Sequence, residues 1–276
     1  MGDFSTMDDI VAGLANTATY GGRFTYNKNS ITTVAGVLYS LWTTTGWPGA
    51  GAAPGAAATP TNATAGALNL LGHGNAPAGG TSRLLGWDNI TGSAGNDYLY
   101  DRLAHMSGLS GNVLTAQTVN ASIAAAAAAG RCNADGSDVE WFIEGYSAPG
   151  AATPTITISY TNQAGVSGRT TTVTMVSALP AGRLIPITTL QSGDTSIKSI
   201  ESITVGSTMT TAGNFGITAG RKLAAVYGAA NQGISLDFAQ IRAPKIGDNA
   251  CLWLVSYAGT TTSGNKIGAV TVGSVA

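Results

Sequence analysis

The feature that most constrains the fold is a pair of threonine-rich segments joined by a glycine-containing turn. In TPTITISYT (153–161), isoleucine and tyrosine alternate with threonine and serine, and TTTVTMVS (170–177) repeats this alternation with valine and methionine. A period of two with many β-branched residues is typical of a β-strand. Because NQAGVSGR (162–169) is suited to a turn, we predict that the two segments form an antiparallel β-hairpin.

Other short apolar segments bounded by Gly, Asn and Asp also predict strands. In the segment 198–211, Ile200 and Ile203 are spaced as in a helix, but Val205 and the following Thr and Ser residues favour a strand. The alanine run ASIAAAAAAG favours a helical turn. Many short strands separated by polar turns predict a mainly β protein, an antiparallel β-sandwich of jelly-roll or similar type. The further predicted strands are 139–147, 198–211, 235–241, 250–259 and 268–274.

The N-terminal part of the sequence has a different character. Ser5 and Asp8 resemble a capping box, and the apolar residues after them predict a short helix at about 6–16. Residues 20–48 have an extended pattern, and the uncharged Pro/Gly/Ala/Thr segment 48–67 predicts a long loop or arm. We therefore expect an N-terminal helix and extended arm over residues 1–80, followed by a β-sandwich domain over residues 81–276.

Charge is unusually scarce in this chain of 276 residues. Charged residues make up 10% of the sequence, against roughly 25% in an ordinary soluble domain, and the net charge is −1. A charge-poor surface lacks the repulsion that keeps proteins apart, which suggests a subunit of an assembly. With no basic run, nucleic acid is not an expected partner.

The sequence also predicts where the protein folds. It begins without a charged and then apolar leader, and its longest apolar segments are too short to span a bilayer, so we expect no membrane association and folding in a cytoplasm. In that compartment, Cys132 and Cys251 are expected to be buried thiols rather than a disulfide.

Residues suited to enzyme chemistry are few. His105 has Asp101 before it and Ser107 after it, but a catalytic triad usually draws on distant segments, so a structural histidine is the expected role. His73 is expected to be an ordinary loop residue. Glu140 and Glu144 would share one face of a strand without defining a substrate site. We predict no enzyme activity, no catalytic residues and no cofactor.

Two segments resemble calcium sites. GSAGNDYLYD (92–101) nearly matches the nonapeptide of calcium-binding β-rolls, but a β-roll needs tandem copies and this sequence has one. It is better interpreted as a turn, capped by Asp97, that leads into a strand. CNADGSD (132–138) lacks the final glutamate of an EF-hand loop and is expected to be an Asx-rich turn. We therefore predict no metal site.

Aromatic residues in the N-terminal part are candidates for contacts with other chains. Trp42 and Trp47 are either core residues or interface anchors, a role in which tryptophan is enriched. Two aromatic residues before them and two prolines after them are further candidates for assembly contacts. The complete set is Phe24, Tyr26, Trp42, Trp47, Pro48 and Pro54.

Several long segments resemble a family of tailed-bacteriophage virion proteins. The resemblance extends from about residue 36 to 255, covers most of the chain and contains no catalytic motif. The segments that carry it are SLWTTTGWPGAGAAP (40–54), LYDRLAHMSGLSGNVLTAQTVN (99–120), VEWFIEGY (139–146), ITISYTNQAGVSGRTTTV (156–173) and GDTSIKSIESITV (193–205).

The resemblance implies a particle component, in particular a capsid decoration (cement) protein located on the capsid surface of the virion. Such a protein is expected to be a β-sandwich that assembles as a dimer or trimer with copies of itself and clamps the major capsid protein. Other virion parts, namely a head fibre, neck, tail tube or baseplate component, remain open. A carbohydrate-binding β-sandwich is a second class, which would require exposed aromatic rings on one sheet face or loop end.

Overall fold

The computed structural model describes residues 6–15, 22–69, 75–76 and 78–275. Within those ranges the chain is built mainly from β-strands. The helices are α1 (Met7–Ala15), α2 (Ala124–Ala128) and α3 (Phe238–Ile241). The strands are β1 (Gly22–Lys28), β2 (Val37–Ser40), β3 (Gly46–Trp47), β4 (Thr81–Thr91), β5 (Gly95–Leu109), β6 (Gln117–Ser122), β7 (Glu140–Ser147), β8 (Thr155–Asn162), β9 (Arg169–Thr174), β10 (Leu184–Pro186), β11 (Ile197–Val205), β12 (Asn214–Gly228), β13 (Gln232–Asp237), β14 (Lys245–Ile246), β15 (Leu252–Ala258) and β16 (Lys266–Val275).

The strands form three antiparallel sheets. Sheet I has the order β13-β4-β16-β1-β3, and β14 also pairs with β4. Sheet II has the order β10-β7-β12-β5-β15-β2, and sheet III has the order β6-β11-β8-β9. The prediction of a mainly β, antiparallel protein with a short N-terminal helix is confirmed.

Sheet II curls into a nearly closed barrel. Its two edge strands approach each other, because Tyr39 forms an isolated antiparallel bridge with Arg183 and the Ser40 N–H donates to the Gly182 carbonyl at 2.6 Å. Closure hides strand edges that would otherwise be free to pair with another chain. The barrel interior is aromatic. Its buried residues are Trp42, Ala67, Tyr100, Phe142, Leu184, Cys251, Trp253 and Val255.

Sheets I and III pack against different parts of sheet II through two separate buried clusters. Leu99 and Leu254 of sheet II share a buried cluster with Trp87 of sheet I. Further along the same β5 strand, Leu103 shares a cluster with Ile158 of sheet III. The fifteen-residue β5 therefore contributes to both cores.

Most of the local strand predictions are confirmed, although the strand predicted at 198–211 ends at Val205. The hairpin forms from β8 and β9, with Ile158 opposite Thr171. The segment 198–211 begins as strand β11, and the predicted strands at 139–147, 250–259 and 268–274 correspond to β7, β15 and β16. The predicted strand at 235–241 is correct only in its first half, because Asp237 caps α3 through the Gln240 N–H and so ends the strand.

The N-terminal helix is confirmed as α1, but its cap differs from the prediction. Thr6 and Asp9 make the reciprocal bonds of a capping box, at 2.8 Å and 3.2 Å. Ser5 lies outside the described residues. The expected domain boundary at residue 80 stays a prediction, although β1 and β2 precede it and pair with β16 and β15, which follow it.

The segment 48–67 is a long loop, as predicted, but it packs on its own chain rather than projecting as an arm. Ala58 and His105 exchange backbone hydrogen bonds at 2.9 and 3.0 Å. The Arg131 guanidinium donates to the Pro60 carbonyl at 2.7 Å, and the Trp42 indole donates to the Ala52 carbonyl at 3.0 Å. These bonds hold an uncharged loop in place without a core of its own.

Candidate functional site

Strand β1 determines the position of two predicted contact residues. Phe24 and Tyr26 point into the core between sheets I and II, with exposures of 9% and 1%. Their neighbours Arg23, Thr25 and Asn27 point to the opposite side and are exposed. The buried rings have little surface left for another chain, whereas the outward residues belong to a free sheet face.

Trp42 is also a core residue. Its ring is 1% exposed inside the barrel and lies 4.5 Å from the guanidinium carbon of Arg102. Pro54 is half-buried in the loop that packs over this region. Of the two roles weighed for Trp42, the core role is therefore the observed one.

Trp47 is the exposed member of the predicted set, with 64% of its surface accessible. It ends β3 and is joined by a cis peptide bond to Pro48, which is itself buried. The Lys28 ammonium fixes this turn from beneath by donating to the carbonyls of Pro48 at 2.7 Å and Gly49 at 3.2 Å. Burial lowers the pKa of Lys28 to about 8. A buried cation therefore supports an exposed tryptophan.

The outer face of sheet I is the side directed away from sheet II. Antiparallel strands place directly opposed residues on the same face. A row of directly opposed residues across the sheet is called a level below. One level runs from Arg23 of β1 through Thr271 of β16 and Gly86 of β4 to Asp237 of β13. Arg23 also makes an exposed ion pair with Asp88 at 2.9 Å. The two ends of this level thus carry opposite charges.

Two levels away, the outer face of sheet I carries apolar side chains. Ile90 of β4 lies directly opposite Ile267 of β16, and their exposures are 45% and 44%. The same level continues through Asn27 of β1 to Trp47 of β3, and on the other side it ends at Gly233 of β13. Exposed isoleucines that oppose each other form a continuous apolar strip, which on a protein surface often marks an interaction site.

A buried polar chain lies beneath the outer face of sheet I and ties it to sheet II. The Tyr26 hydroxyl donates to Asn89 at 2.8 Å, and Asn89 donates to the Asp97 carboxylate at 2.8 Å. Asp97 makes an ion pair with Lys266 at 3.0 Å. The expectation that Asp97 caps a turn of residues 92–97 is wrong, because β5 already begins at Gly95 and the Asp97 side chain contacts Asn89 and Lys266 instead. This network helps to rigidify the sheet that presents the face, although the Asp97 Oδ1 that faces Lys266 has no hydrogen-bond partner.

The most concentrated group of charges lies inside the barrel. Arg102 donates to Glu144 at 2.6 Å, and the two side chains are 0% and 1% exposed. The Glu144 carboxylate also accepts from Thr218 at 2.5 Å and from Tyr146 at 2.9 Å. Despite the burial, which acts in the opposite direction, the Arg102 charge and these hydrogen bonds hold the pKa of Glu144 below its usual value.

His105 has the structural role that was predicted for it. Its Nδ1 accepts from the Arg102 Nε at 3.0 Å, so the ring is neutral and its tautomer is fixed. Burial, together with the Arg102 charge, lowers the pKa of His105 to about 2. His73 lies outside the described residues.

A second buried pair stands beside the first. Arg131 donates to both carboxylate oxygens of Asp101, at 3.0 and 2.5 Å, and also to the Arg102 carbonyl at 2.7 Å. Each of the two buried arginines, Arg102 and Arg131, is thus paired with a buried carboxylate. The other predicted carboxylate, Glu140, lies at the rim, where it binds Lys222 and Tyr100, each at 2.7 Å.

The acidic turn is as expected, but of the two cysteines expected to be buried only Cys251 is, because Cys132 is half-buried. Cys132 and Cys251 are free thiols, and burial raises the pKa of each to about 12. In the 132–138 turn, Asp135 and Asp138 accept backbone hydrogen bonds at 3.0 and 2.8 Å, as in an Asx turn. Among the described residues, no three metal-ligating side chains lie close enough together to hold an ion.

The helices of the described ranges are all too short or too polar to cross a membrane.

Comparison with solved structures finds the VP2 protein of infectious bursal disease virus. A mutant VP2 in derived T=1 particles is 9% identical, with a TM-score of 0.19, over 99% of this chain and 84% of its own. VP2 in a subviral particle is 8% identical, with a TM-score of 0.20, over 98% and 86%. Similarities this low do not establish a common fold and carry no argument about function. No protein-family model and no curated protein matches the chain.

Sequence reasoning missed most of the outer face of sheet I. Its apolar strip joins residues from β4 and β16, and its charged level joins β1 to β13, which no local pattern connects. The alternation of Phe24 and Tyr26 with Arg23, Thr25 and Asn27 was the one local signal available. It correctly indicates that one side of β1 is free.

Proposed function

We propose that the chain is a structural subunit of a tailed-bacteriophage particle, a capsid decoration protein that binds the outer shell and bridges neighbouring capsid subunits. The observation that supports this proposal best is the outer face of sheet I. There, Ile90, Ile267 and Trp47 are exposed along one level of a sheet whose underside is locked by buried polar bonds. A rigid face that is apolar at one end is suited to binding by contact area.

The scarcity of charge supports the same role. A decoration protein gains its affinity from many copies that bind a symmetric lattice, so each contact can be modest. Such contacts need little electrostatic attraction. The resemblance of residues 36–255 to phage virion proteins points in the same direction.

Most of the candidate contact residues lie before residue 48, which would allow this segment to attach the protein to the shell independently of the sandwich. Its strand β1 instead lies between β16 and β3 in sheet I. Deletion of this segment would remove the sheet whose face is proposed to bind, so point substitutions on the outer face are the appropriate test of attachment.

The deciding experiment is to locate and count this chain in purified particles by cryo-electron microscopy and quantitative mass spectrometry. A copy number close to that of the shell subunit, with density on the capsid surface, is expected. A dozen copies or fewer at the neck, tail or a fibre would overturn the decoration role, although the chain would remain a virion part. Absence from the particle would overturn both.

One observation favours carbohydrate binding as a second candidate function. Tyr227 and Tyr257 flank Asn96 on one face at the rim of the barrel, with exposures of 63% and 38%. The two tyrosines are two strand spacings apart, which is about 10 Å. A glycan array compares the native protein with Tyr227→Ala. Signals that are lost in the variant would support this function, and an array without signals would exclude it.

A further inference from the structure

We propose that the side chains of Lys266 and Asn89 react with each other to form an isopeptide bond, with Asp97 as the group that transfers the protons. The inference goes beyond the proposed function, because it concerns a covalent change within one chain and needs no particle. It rests on a buried set of side chains between sheets I and II, called the Lys266 cluster below. The members of this cluster, each 3% exposed or less, are Tyr26, Trp87, Asn89, Asp97 and Lys266.

The Asp97 carboxylate contacts both nitrogen atoms that the reaction exchanges. Its Oδ1 lies 3.0 Å from the Lys266 Nζ, and its Oδ2 accepts a hydrogen bond of 2.8 Å from the Asn89 Nδ2. Because this buried Oδ1 has no hydrogen-bond partner, it has a lone pair free for a proton from Lys266. A carboxylate that holds an amine and an amide together is suited to transfer an acyl group from one nitrogen to the other.

The strand register brings the lysine within reach of the amide. Lys266 of β16 lies opposite Thr91 of β4, and Asn89 is the next residue of β4 on the same face. Diagonal pairs of this kind are about 7–8 Å apart, which a long side chain can span. The Lys266 Nζ donates to the Thr91 hydroxyl, so attack requires it to leave that hydroxyl and turn towards the Asn89 Cγ.

The side-chain carbonyl of Asn89 is polarised for attack. The Tyr26 hydroxyl donates to the Asn89 Oδ1 at 2.8 Å and accepts from the Trp87 indole at 2.9 Å. A donor at this oxygen stabilises the negative charge that develops when the amine adds. Gly268 lies between Tyr26 and Asn89 in the register. A Cβ there would come 2.5 Å from the Tyr26 hydroxyl, so the glycine keeps this path open.

Burial favours the reactive form of the lysine. Tyr26 and Trp87 belong to the apolar core between sheets I and II. Burial lowers the pKa of Lys266 below its usual value, although the Asp97 charge acts in the opposite direction. The neutral amine, which is the form that attacks, is therefore more accessible here than at the surface. The same burial keeps out water, which is the competing nucleophile.

The reaction balances without an oxidant or a cofactor. The Lys266 ammonium gives one proton to Asp97, and the neutral amine adds to the Asn89 Cγ. As the Cγ–Nδ2 bond of Asn89 breaks, Asp97 passes its proton to the departing nitrogen, which leaves as ammonia. Asp97 then takes up the proton that the attacking nitrogen loses. The new bond joins Nζ to Cγ, and the buried site is left without net charge.

The bond would fasten the last strand of the chain to its neighbour. Strand β16 lies between β4 and β1 in sheet I, so a link from Lys266 to Asn89 closes a long loop of the chain. Such a link restricts the unfolded chain much as a disulfide does, and it needs no oxidising compartment. The native protein is therefore expected to melt at a higher temperature than a variant without the bond.

The test is the intact mass of the folded full chain, followed by tryptic peptide mapping. The native protein should be lighter than its sequence by one ammonia and should yield a branched peptide that joins Asn89 to Lys266. Lys266→Arg keeps a cation beside Asp97 but cannot form the bond, so it should have its full mass. Lys222→Arg is the matched control, because Lys222 also pairs with a carboxylate, Glu140, but at an exposed site. This control should keep the branched peptide.

Tyr26→Phe distinguishes a reaction from a structural contact, because it removes only the hydroxyl that polarises the amide. The branched peptide is followed over time in freshly synthesised protein. Formation of the bond should slow by about 100-fold, as when one donor to a developing oxyanion is lost. Circular dichroism shows whether each variant is folded. An unchanged rate in a folded Tyr26→Phe protein would contradict the role of the hydroxyl.

The mass of the native protein decides the inference even where a variant fails to fold. Full mass, with Asn89 and Lys266 in separate peptides, would overturn the isopeptide bond. Loss of one water, with a peptide that joins Lys266 to Asp97, would overturn the assignment of Asn89. Neither result affects the decoration role, because counting the chain in particles does not depend on the bond.

Discussion

Arg102 and Glu144 form an ion pair that is wholly enclosed by the barrel of sheet II, with 2.6 Å between Nη2 and Oε2. The indole rings of Trp42 and Trp253 lie 4.5 and 4.8 Å from the guanidinium carbon. Charges in such surroundings are stable only as a matched set, since each would otherwise suffer the full cost of removal from water. The pair is therefore a point at which a single substitution has a large effect.

Glu144→Gln should lower the free energy of unfolding by about 3–5 kcal/mol, because it keeps the shape of the side chain but leaves the Arg102 charge unmatched. The measurement is urea-induced unfolding followed by circular dichroism. Glu140→Gln is a matched control on the same strand, and its rim pair with Lys222 should contribute less than about 1 kcal/mol. Equal effects of the two substitutions would contradict the enclosed pair.

His105 should make the protein lose stability as the pH falls below about 6.5. Its pKa is lowered to about 2 in the folded protein, whereas the unfolded chain titrates near 6.5. Between these values the unfolded state holds the extra proton, so stability present above pH 6.5 is lost on acidification, by about 1.4 kcal/mol per pH unit.

The check is a series of unfolding curves from pH 7 to pH 4.5 for the native protein and for His105→Gln. The glutamine oxygen can still accept from the Arg102 Nε, but it does not titrate. His73 is present in both proteins and cancels. Parallel pH profiles would show that His105 is not the group responsible.

Gly216 of β12 should tolerate no side chain. A Cβ at this position would overlap the backbone carbonyl of Met106 on the neighbouring strand β5, which cannot turn away as a flexible side chain could. Gly216→Ala should therefore cost about 3 kcal/mol or more, or prevent folding. Gly49→Ala, where an added Cβ meets nothing within 4 Å, is the control and should leave the melting temperature nearly unchanged.

Chelation of divalent cations should leave the melting temperature unchanged. The acidic turn of residues 132–138 is closed by its own backbone, and Asp97 is occupied by Lys266 and Asn89. Calorimetry with EDTA, and separately with added calcium, tests this expectation. A rise of several degrees with calcium would restore the calcium interpretation of one of these turns.

Local patterns predicted the elements better than the sites. The hairpin of β8 and β9 and the helix α1 were predictable because their residues are close in sequence. The fifteen-residue strand β12 was missed, since Ala, Gly and Lys interrupt its alternation and its conformation depends on β5 and β7 on either side. Tertiary pairing overrides weak local propensity in such a strand.

The candidate site was less predictable still. Because Arg102 and Glu144 lie 42 residues apart in the sequence, no local pattern indicates that they pair. Trp42 and Trp47 look equivalent in the sequence, yet one is 1% and the other 64% exposed. The difference arises because the loop of residues 48–67 covers Trp42, whereas Trp47 lies at the end of a two-residue edge strand.

The pairing of β1 with β16 also means that β1 is synthesised long before the strand it pairs with. Because Gly22 pairs with Val272 and Lys28 pairs with Lys266, β1 leaves the ribosome about 240 residues before its principal neighbour has been synthesised. At roughly 5–20 residues per second, the delay is on the order of 10–50 seconds. During that interval Phe24 and Tyr26 are uncovered, and nascent chains on one polysome could pair with each other. A chaperone that shields this early strand would therefore influence how much of the protein matures.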